Sequence, residues 1–291
     1  MATGLTTTGS LADSLPTVID AARIVREYEG PFMRTTDAQK LPEGTGLKWD
    51  EIALAQLTAQ SITETTELDN PQQLSDSILS AEPVVAGIQI RVTDRARIRI
   101  DKKVAAKMGI LGQNAIQRKK DQDYLTILDS ATTSLSGAGS TLASGVIGAA
   151  AARIKGNTSE RGMGPIFTVL HPFQIKDLQD ELTSGVGTYT VPTGMTEETF
   201  RNGFNGSVYG TNVFEDGNIS IDSADDAKGG VHARDGVVFV QGRSPWAKTV
   251  RMEHIGGGAD DMFMYDEYVF VERSAGNWLF EVYSDATAPT G

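Results

Sequence analysis

Residues 94–130 constrain the shape of this chain more than any other segment. Val104, Met108, Leu111 and Ala115 step by four, three and four, Ile116 widens the stripe, and Tyr124, Leu125 and Leu128 resume it. That spacing predicts one α-helix, with an N-cap signal at Thr93-Asp94. Gly109 and Gly112 weaken it by about 1 kcal/mol each. Such a helix is about 55 Å long at a rise of about 1.5 Å per residue. A compact globule of 291 residues has a radius of gyration of about 19 Å and so a diameter of about 50 Å. A straight helix would span the whole molecule. The expectation is therefore an elongated, flat subunit with much surface left for neighbours.

The helix also carries charge of one sign. Residues 91–120 hold ten bases, among them Arg91, Arg95, Arg97, Arg99, Lys102, Lys103, Lys107, Arg118, Lys119 and Lys120, against Asp94 and Asp101. The segment before it has the opposite sign. Over residues 41–83, Glu43, Asp50, Glu51, Glu64, Glu67, Asp69, Asp76 and Glu82 face the single base Lys48. The two stretches carry +8 and −7 inside a chain whose net charge is −12. The basic stretch admits three readings: a solvated helix face, sequence-independent phosphate contact, or pairing with an acidic surface. The acidic neighbour favours the third, with contact between subunits fixing register.

The rest reads as α+β, without a regular βαβ repeat. Residues 1–16 are small and hydroxylic and predict a flexible arm. Thr17–Tyr28 has helical spacing ended by Gly30-Pro31. The acidic segment has weak periodicity, with a strand-like piece at Ser61–Thr66, and a connection this long is usually functional or disordered. Val84–Val92 alternates as a strand. Helices are expected at 142–154 and from Pro172 to Leu182, with a buried strand at Pro165–Leu170 and a loop over 184–207. Short strands are expected near 207–214, 236–241, 247–253, 262–272 and 278–283.

Composition removes several chemistries. The chain has no Cys, which excludes disulfides, thiolate-bound metals and a thiol nucleophile. The three histidines, His171, His232 and His254, lack ligand spacing. No apolar run approaches the ~18 residues of a membrane span, and no basic leader opens the sequence, so a cytoplasm-like compartment is expected. G-x-S-x-G, Walker A, G-x-G-x-x-G and H-E-x-x-H patterns are missing from the sequence. Asp216, Asn218, Ser220 and Asp222 imitate the start of a calcium loop, but Ile221 and Ala227 occupy the places of its Gly and Glu. His171 sits in VLHPFQ at a strand-to-helix junction and reads as structural. Asp260-Asp261, after a Gly-rich run, reads as part of a solvated loop. Tyr265, Tyr268, Phe270, Trp278, Phe280 and Tyr283 alternate as strand core. No catalytic, cofactor or metal residues are assigned.

The order of these elements resembles the major capsid protein of tailed double-stranded DNA bacteriophages, with the fold named after phage Hong Kong 97. A polar arm (1–40) resembles the family's N-arm, and the acidic extended segment (41–83) resembles its projecting E-loop. The basic helix ending in DQDYLTILD (121–129) resembles the spine helix of the peripheral domain. IFTVLHPFQIKDLQDEL (166–182) resembles the strand and helix of the axial domain. NGSVYGTNVFED (205–216), GVVFVQG (236–242) and YVFVERSAGNWLFEVYSD (268–285) resemble the closing strands of such proteins.

The resemblance implies a peripheral domain of 84–134 with 260–291, an axial domain of 135–259, and no cofactor. It implies a structural role: many copies, as hexamers and pentamers, form an icosahedral shell around packaged double-stranded DNA in a virion assembled in the host cytoplasm. The implied partners are other copies of the chain, DNA held by non-specific contact, a separate scaffolding protein, a portal and decoration proteins, with no membrane. The sequence shows no extra N-terminal scaffold domain like the family's, so either a separate scaffolding protein or a cleaved portion is expected. Lys48 is the only Lys in the loop and no Asn partner stands out, so covalent cross-linking is not expected. Arg23, Arg26, Arg95, Arg97, Arg99, Lys102, Lys103, Lys107, Arg118, Lys119 and Lys120 are the candidate DNA-facing or inter-subunit bases. Asp50, Glu51, Glu64, Glu67, Asp69 and Asp76 are their candidate acidic partners. An encapsulin-like compartment, a tail or decoration protein and an enzyme are the competing readings.

Overall fold

The computed structural model describes residues 5–6, 30–65, 71–99, 102–183, 206–255, 257–274 and 276–289.

Two sheets and one helix make the frame. The six-stranded sheet runs β6 (Ser134–Ser136), β13 (Leu279–Asp285), β10 (Asp226–Ala233), β7 (Ile166–Leu170), β9 (Thr211–Glu215) and β8 (Ser207–Val208). Its central strand β7 is buried along its whole length, as an unbroken apolar run requires. Alternate residues serve two cores. Ile166 and Leu170 pack with α4 (Ser144–Gly156) and α5 (Pro172–Thr183), while Val169 packs with the long helix on the other face. α4 is Ala-rich, as a strong helix former should be. Its Ile147, Ala150, Ala151 and Ile154 face the core. It has no side-chain cap of its own. Instead the Ser144 amide donates to Glu181 Oε2 of α5 at 2.6 Å, which satisfies one of the exposed amides of a helix start.

The five-stranded sheet runs β1 (Leu5–Thr6), β5 (Val84–Thr93), β12 (Ala259–Glu272), β11 (Val237–Met252) and β2 (Asp37–Lys40). β11 follows β10 through a single 3-10 turn, Arg234–Gly236, so one continuous run of chain joins both sheets. Its pairing with β12 is broken by irregularities between Gln241, Arg243 and Trp246. Pro245, which cannot donate to a ladder, sits in that interruption. The expected arm is more ordered than its composition suggests at one point. Leu5 and Thr6 pair in parallel with Arg91 and Val92 of β5.

The basic helix is seen as α2 (Asp94–Arg99) and α3 (Lys102–Asp129), with residues 100 and 101 outside the described part. Thr93 caps it as expected, its Oγ1 accepting the Ala96 amide at 3.3 Å. α3 has 28 residues and is about 42 Å long. Among the described side chains, its core positions lie in the C-terminal half. Ile116, Tyr124, Leu125 and Leu128 are buried, whereas Ile110 and Leu111 stay exposed. Gly112 marks close approach to β12: a Cβ there would lie 2.6 Å from Met264 Sδ.

Several expectations are corrected. The two strands expected at 236–241 and 247–253 are one strand, β11. Ser61–Thr66 is not a strand among its described residues, and 61–65 are exposed coil and turn. β10 (DAKGGVHA) was not expected at all. The helix at Thr17–Tyr28 and most of the loop at 184–207 lie outside the described residues.

Candidate assembly surfaces

The acidic segment forms a two-stranded ribbon that belongs to neither sheet. β3 (Trp49–Leu54) pairs antiparallel with β4 (Asp76–Ala81). Asp50 accepts a hydrogen bond from Ser80 across the ribbon. Beyond the ribbon, the Gln72 side chain continues the pairing, its Oε1 accepting the Thr58 amide at 2.8 Å. The ribbon and its tip carry apolar side chains into solvent. Ile52 and Ile78 face each other across the strands and are 61% and 65% exposed. Leu47, Leu54, Leu57, Ile62 and Leu74 are exposed as well. An isolated two-stranded ribbon is marginal in water, and an exposed apolar pair at its centre invites cover from outside the ribbon.

The ribbon is tethered at its root. Arg273, just after β12, donates from Nη2 to Glu51 Oε2 at 2.7 Å and to Asp37 Oδ2 at 3.1 Å. Its Nη1 donates to the Asp235 carbonyl at 2.9 Å. Glu51, a candidate partner for another subunit's bases, is thus engaged within its own chain. Asp50, Glu64 and Asp76 are exposed. Glu67 and Asp69 lie outside the described residues.

The bases separate into groups. Arg95 and Arg99 are exposed on α2, and Arg118 is exposed on α3. Arg97 is paired with Asp260, and Lys119 with Asp123 one helical turn on. Lys120 does not fit the expectation of an outward-facing base. It is buried, with its ammonium 2.5 Å from Asp266 Oδ2. Arg23 and Arg26 lie outside the described residues, as do the side chains of Lys102, Lys103 and Lys107.

The sequence model of the phage capsid protein family matches residues 77–275. The chain belongs to that family. No curated protein matches it in sequence. The capsid of Helicobacter pylori bacteriophage KHP30, described as acid-stable, aligns over 99% of this chain and 100% of its own, with a TM-score of 0.73 and 12% identity. The capsid of cyanophage Pam1 aligns over the same shares at 0.72 and 12%. A Mycobacterium phage Che8 structure aligns over 90% and 94%, at 0.68 and 14%. Sequence identity this low speaks for the fold, and the family match makes the protein a structural major capsid protein of the virion.

Other residues singled out in this capsid protein take structural positions. His171 closes the β7–α5 junction: its Nδ1 accepts the Phe173 amide at 3.2 Å, and burial lowers its pKa. Asp260 and Asp261 open β12 and are not part of a solvated loop. Asp261 is fully buried. It takes Arg91 Nε and Nη2, each at 2.6 Å, and Gln89 Nε2, and this guanidinium holds its carboxyl below the usual range. Asp260 meets both Arg97 and Arg251, and Arg251 also grips Asp94. The residues resembling a calcium loop diverge. Asp222 accepts the Ala224 and Asp226 amides and the Tyr283 hydroxyl, whereas Asp216 is buried against α3.

Residues that sequence reasoning passed over form a buried polar relay. Thr35 Oγ1 donates to Tyr124 Oη at 3.1 Å. His232 Nδ1 lies 2.9 Å from the Ala233 carbonyl, which can only accept, so Nδ1 carries the proton. Nε2 is then the acceptor for the Tyr124 hydroxyl at 2.7 Å. The relay links the N-terminal segment, α3 and β10. Tyr124 looked like one more apolar position on the helix stripe.

Proposed function

We propose that this capsid protein closes into an icosahedral shell of hexamers and pentamers around double-stranded DNA. The observation that carries this reading is the projecting ribbon with its exposed Ile52–Ile78 pair, which a single subunit leaves uncovered. In the proposed division, residues 1–40 are the arm, 41–83 the reaching loop, 84–134 with 260–291 the peripheral domain, and 135–259 the axial domain. The loop lies on a neighbouring subunit, burying its apolar face. Its exposed acids Asp50, Glu64 and Asp76, with Glu67 and Asp69, fix register against the bases of the long helix. Arg95, Arg99 and Arg118 are the leading candidates there, with Lys102, Lys103 and Lys107. Arg23 and Arg26 are candidates for the inner wall.

Non-specific phosphate contact by the same bases is the proposed mode of DNA association, and the net charge of −12 keeps the wall from binding DNA tightly. Assembly takes place in the host cytoplasm with a separate scaffolding protein and a portal. Decoration proteins are further proposed partners.

The test is native particle mass, by light scattering with negative-stain images. Closed shells of megadalton mass from the wild-type chain are expected, with DNA recovered from virions. Ile52→Ser combined with Ile78→Ser is expected to leave soluble, folded subunits that do not close. Arg95→Glu with Arg99→Glu is expected to do the same through the charge contact. A wild-type chain that stays monomeric alongside its scaffold would overturn the shell reading, and normal shells from both variants would overturn the proposed contacts.

A further inference from the structure

Two carboxyl groups meet where three parts of the subunit converge. Asp121 comes from the middle of α3 and Asp216 from the turn after β9. Both residues are fully buried. One residue, Asn218, bridges the two side chains. Asn218 Nδ2 donates to Asp121 Oδ2 at 2.7 Å, and the Asn218 amide donates to Asp216 Oδ1 at 2.9 Å. That leaves Asp121 Oδ1 and Asp216 Oδ2 without a donor among the described residues. Gly30, on the N-terminal arm, presses on the same group. A Cβ there would lie 1.4 Å from Asp121 Oδ1.

Two buried carboxylates with one orphan oxygen each are not a stable arrangement. One proton placed between them resolves both orphans at once, because a carboxylic acid donates and a carboxylate accepts. We infer that Asp121 and Asp216 share a single proton, and that this proton is a latch holding the exit of the N-terminal arm, the long helix and the six-stranded sheet together.

The surroundings favour keeping that proton. Burial, then the charge of Asp121, pushes the Asp216 carboxyl up to about 8, and burial raises Asp121 too. Among the described residues, the groups facing the pair are neutral. Asn218 comes from the turn after β9, Tyr124 from the next turn of α3, and His232 of β10 stands behind Tyr124 as a neutral acceptor. Leu170 of β7 offers only its carbonyl, to the Asp216 amide, and His171 beside it is turned to Phe173. Lys120, next along the helix, is committed to Asp266. When pH rises past the pair's upper titration, the proton leaves to hydroxide and two adjacent buried carboxylates remain. Their repulsion pushes α3 away from the 216–218 turn and frees the chain at Gly30.

The experiment is an infrared pH titration of the full-length assembled protein, wild type against Asp216→Asn. Other raised acids such as Asp177 and Glu272 cancel in that difference. The expected result is one protonated carboxyl per subunit at pH 7, lost as pH rises through the pair's upper titration and missing from the variant. Hydrogen exchange reads the mechanical half. Amides of residues 30–36 should lose at least about tenfold protection between pH 6 and pH 9 in the wild type. The Asp216→Asn protein should keep its protection, because its amide donates permanently to Asp121. Asp121→Asn serves the same purpose if that variant does not fold. An unprotonated pair at pH 7 would overturn the latch. So would a carboxyl signal that one equivalent of calcium removes at constant pH, which would make the pair a cation site. Particle mass is read separately, so failure of the latch leaves the shell reading untouched.

Discussion

The ammonium of Lys120 lies 2.5 Å from Asp266 Oδ2, and both side chains are cut off from water. Gln241 Nε2 donates to the other oxygen of Asp266. The rings of Tyr268 and Phe239 lie 5.2 and 5.3 Å from the ammonium, adding cation–π attraction. This pair bolts α3 to β12. Removing one partner strands the other charge in the core, which costs about 3–5 kcal/mol. Lys120→Met should therefore destabilise the subunit by that amount in denaturant unfolding. Adding Asp266→Leu should recover most of the loss, since a buried pair replaced by apolar groups is often near neutral. Equal loss in the single and double variants would show that the pair is not the bolt.

His232 makes the subunit sensitive to acid. Burial lowers its pKa to about 4, against about 6.5 for a free imidazole. The folded state therefore binds fewer protons than the unfolded chain between those values. The stabilisation is complete above about pH 6.5 and is lost as pH falls towards 4, up to about 3 kcal/mol in all. His232→Gln, which still offers the Tyr124 hydroxyl an acceptor, should flatten the stability profile in that window. An unchanged slope in the variant would place the acid sensitivity elsewhere.

Arg273 ties the reaching ribbon to the body through Glu51 and Asp37. These partners are part-exposed, so Arg273→Leu should cost no more than about 1 kcal/mol of stability. The ribbon's position should suffer more. Amide exchange across Trp49–Leu54 should rise, and shells should form more slowly at equal protein concentration. Unaltered exchange in the ribbon would mean that strand pairing alone sets its direction.

What the sequence made legible follows the range of the forces involved. The β5 alternation, the Thr93 cap, the Ala-rich α4 and the strand-to-helix step at His171 rest on neighbours within a few residues, and all could be read directly. β10 could not. Its Gly229 and Gly230 look like a turn, yet a Cβ at Gly229 would sit 2.4 Å from the Val169 carbonyl of the next strand. The glycines are there for close approach, a long-range cause. Charge counting had the same limit. It grouped Lys120 with the outward bases, because burial against Asp266 depends on a residue 146 positions away in the chain. The burial of Asp216 was hidden for the same reason: its partner is on α3. The ribbon's acidity was visible in the sequence, whereas its exposed apolar face was hidden by the lack of a clean strand period.

Gly30 separates packing from charge at the acid pair. Its Cα rests against the Asp121 carboxyl, and a methyl group there would overlap Oδ1 and Cγ. Gly30→Ala must displace either the arm's exit or the carboxyl, and overpacking of this kind costs about 1–3 kcal/mol. The loss is steric, so it should be the same at pH 6 and pH 9, unlike the pH-dependent loosening of the wild type. Asp216→Asn should not rescue it. Thermal unfolding of the single and double variants at both pH values tests this. Rescue by Asp216→Asn would mean that the glycine serves the ionised pair and not the space beside it.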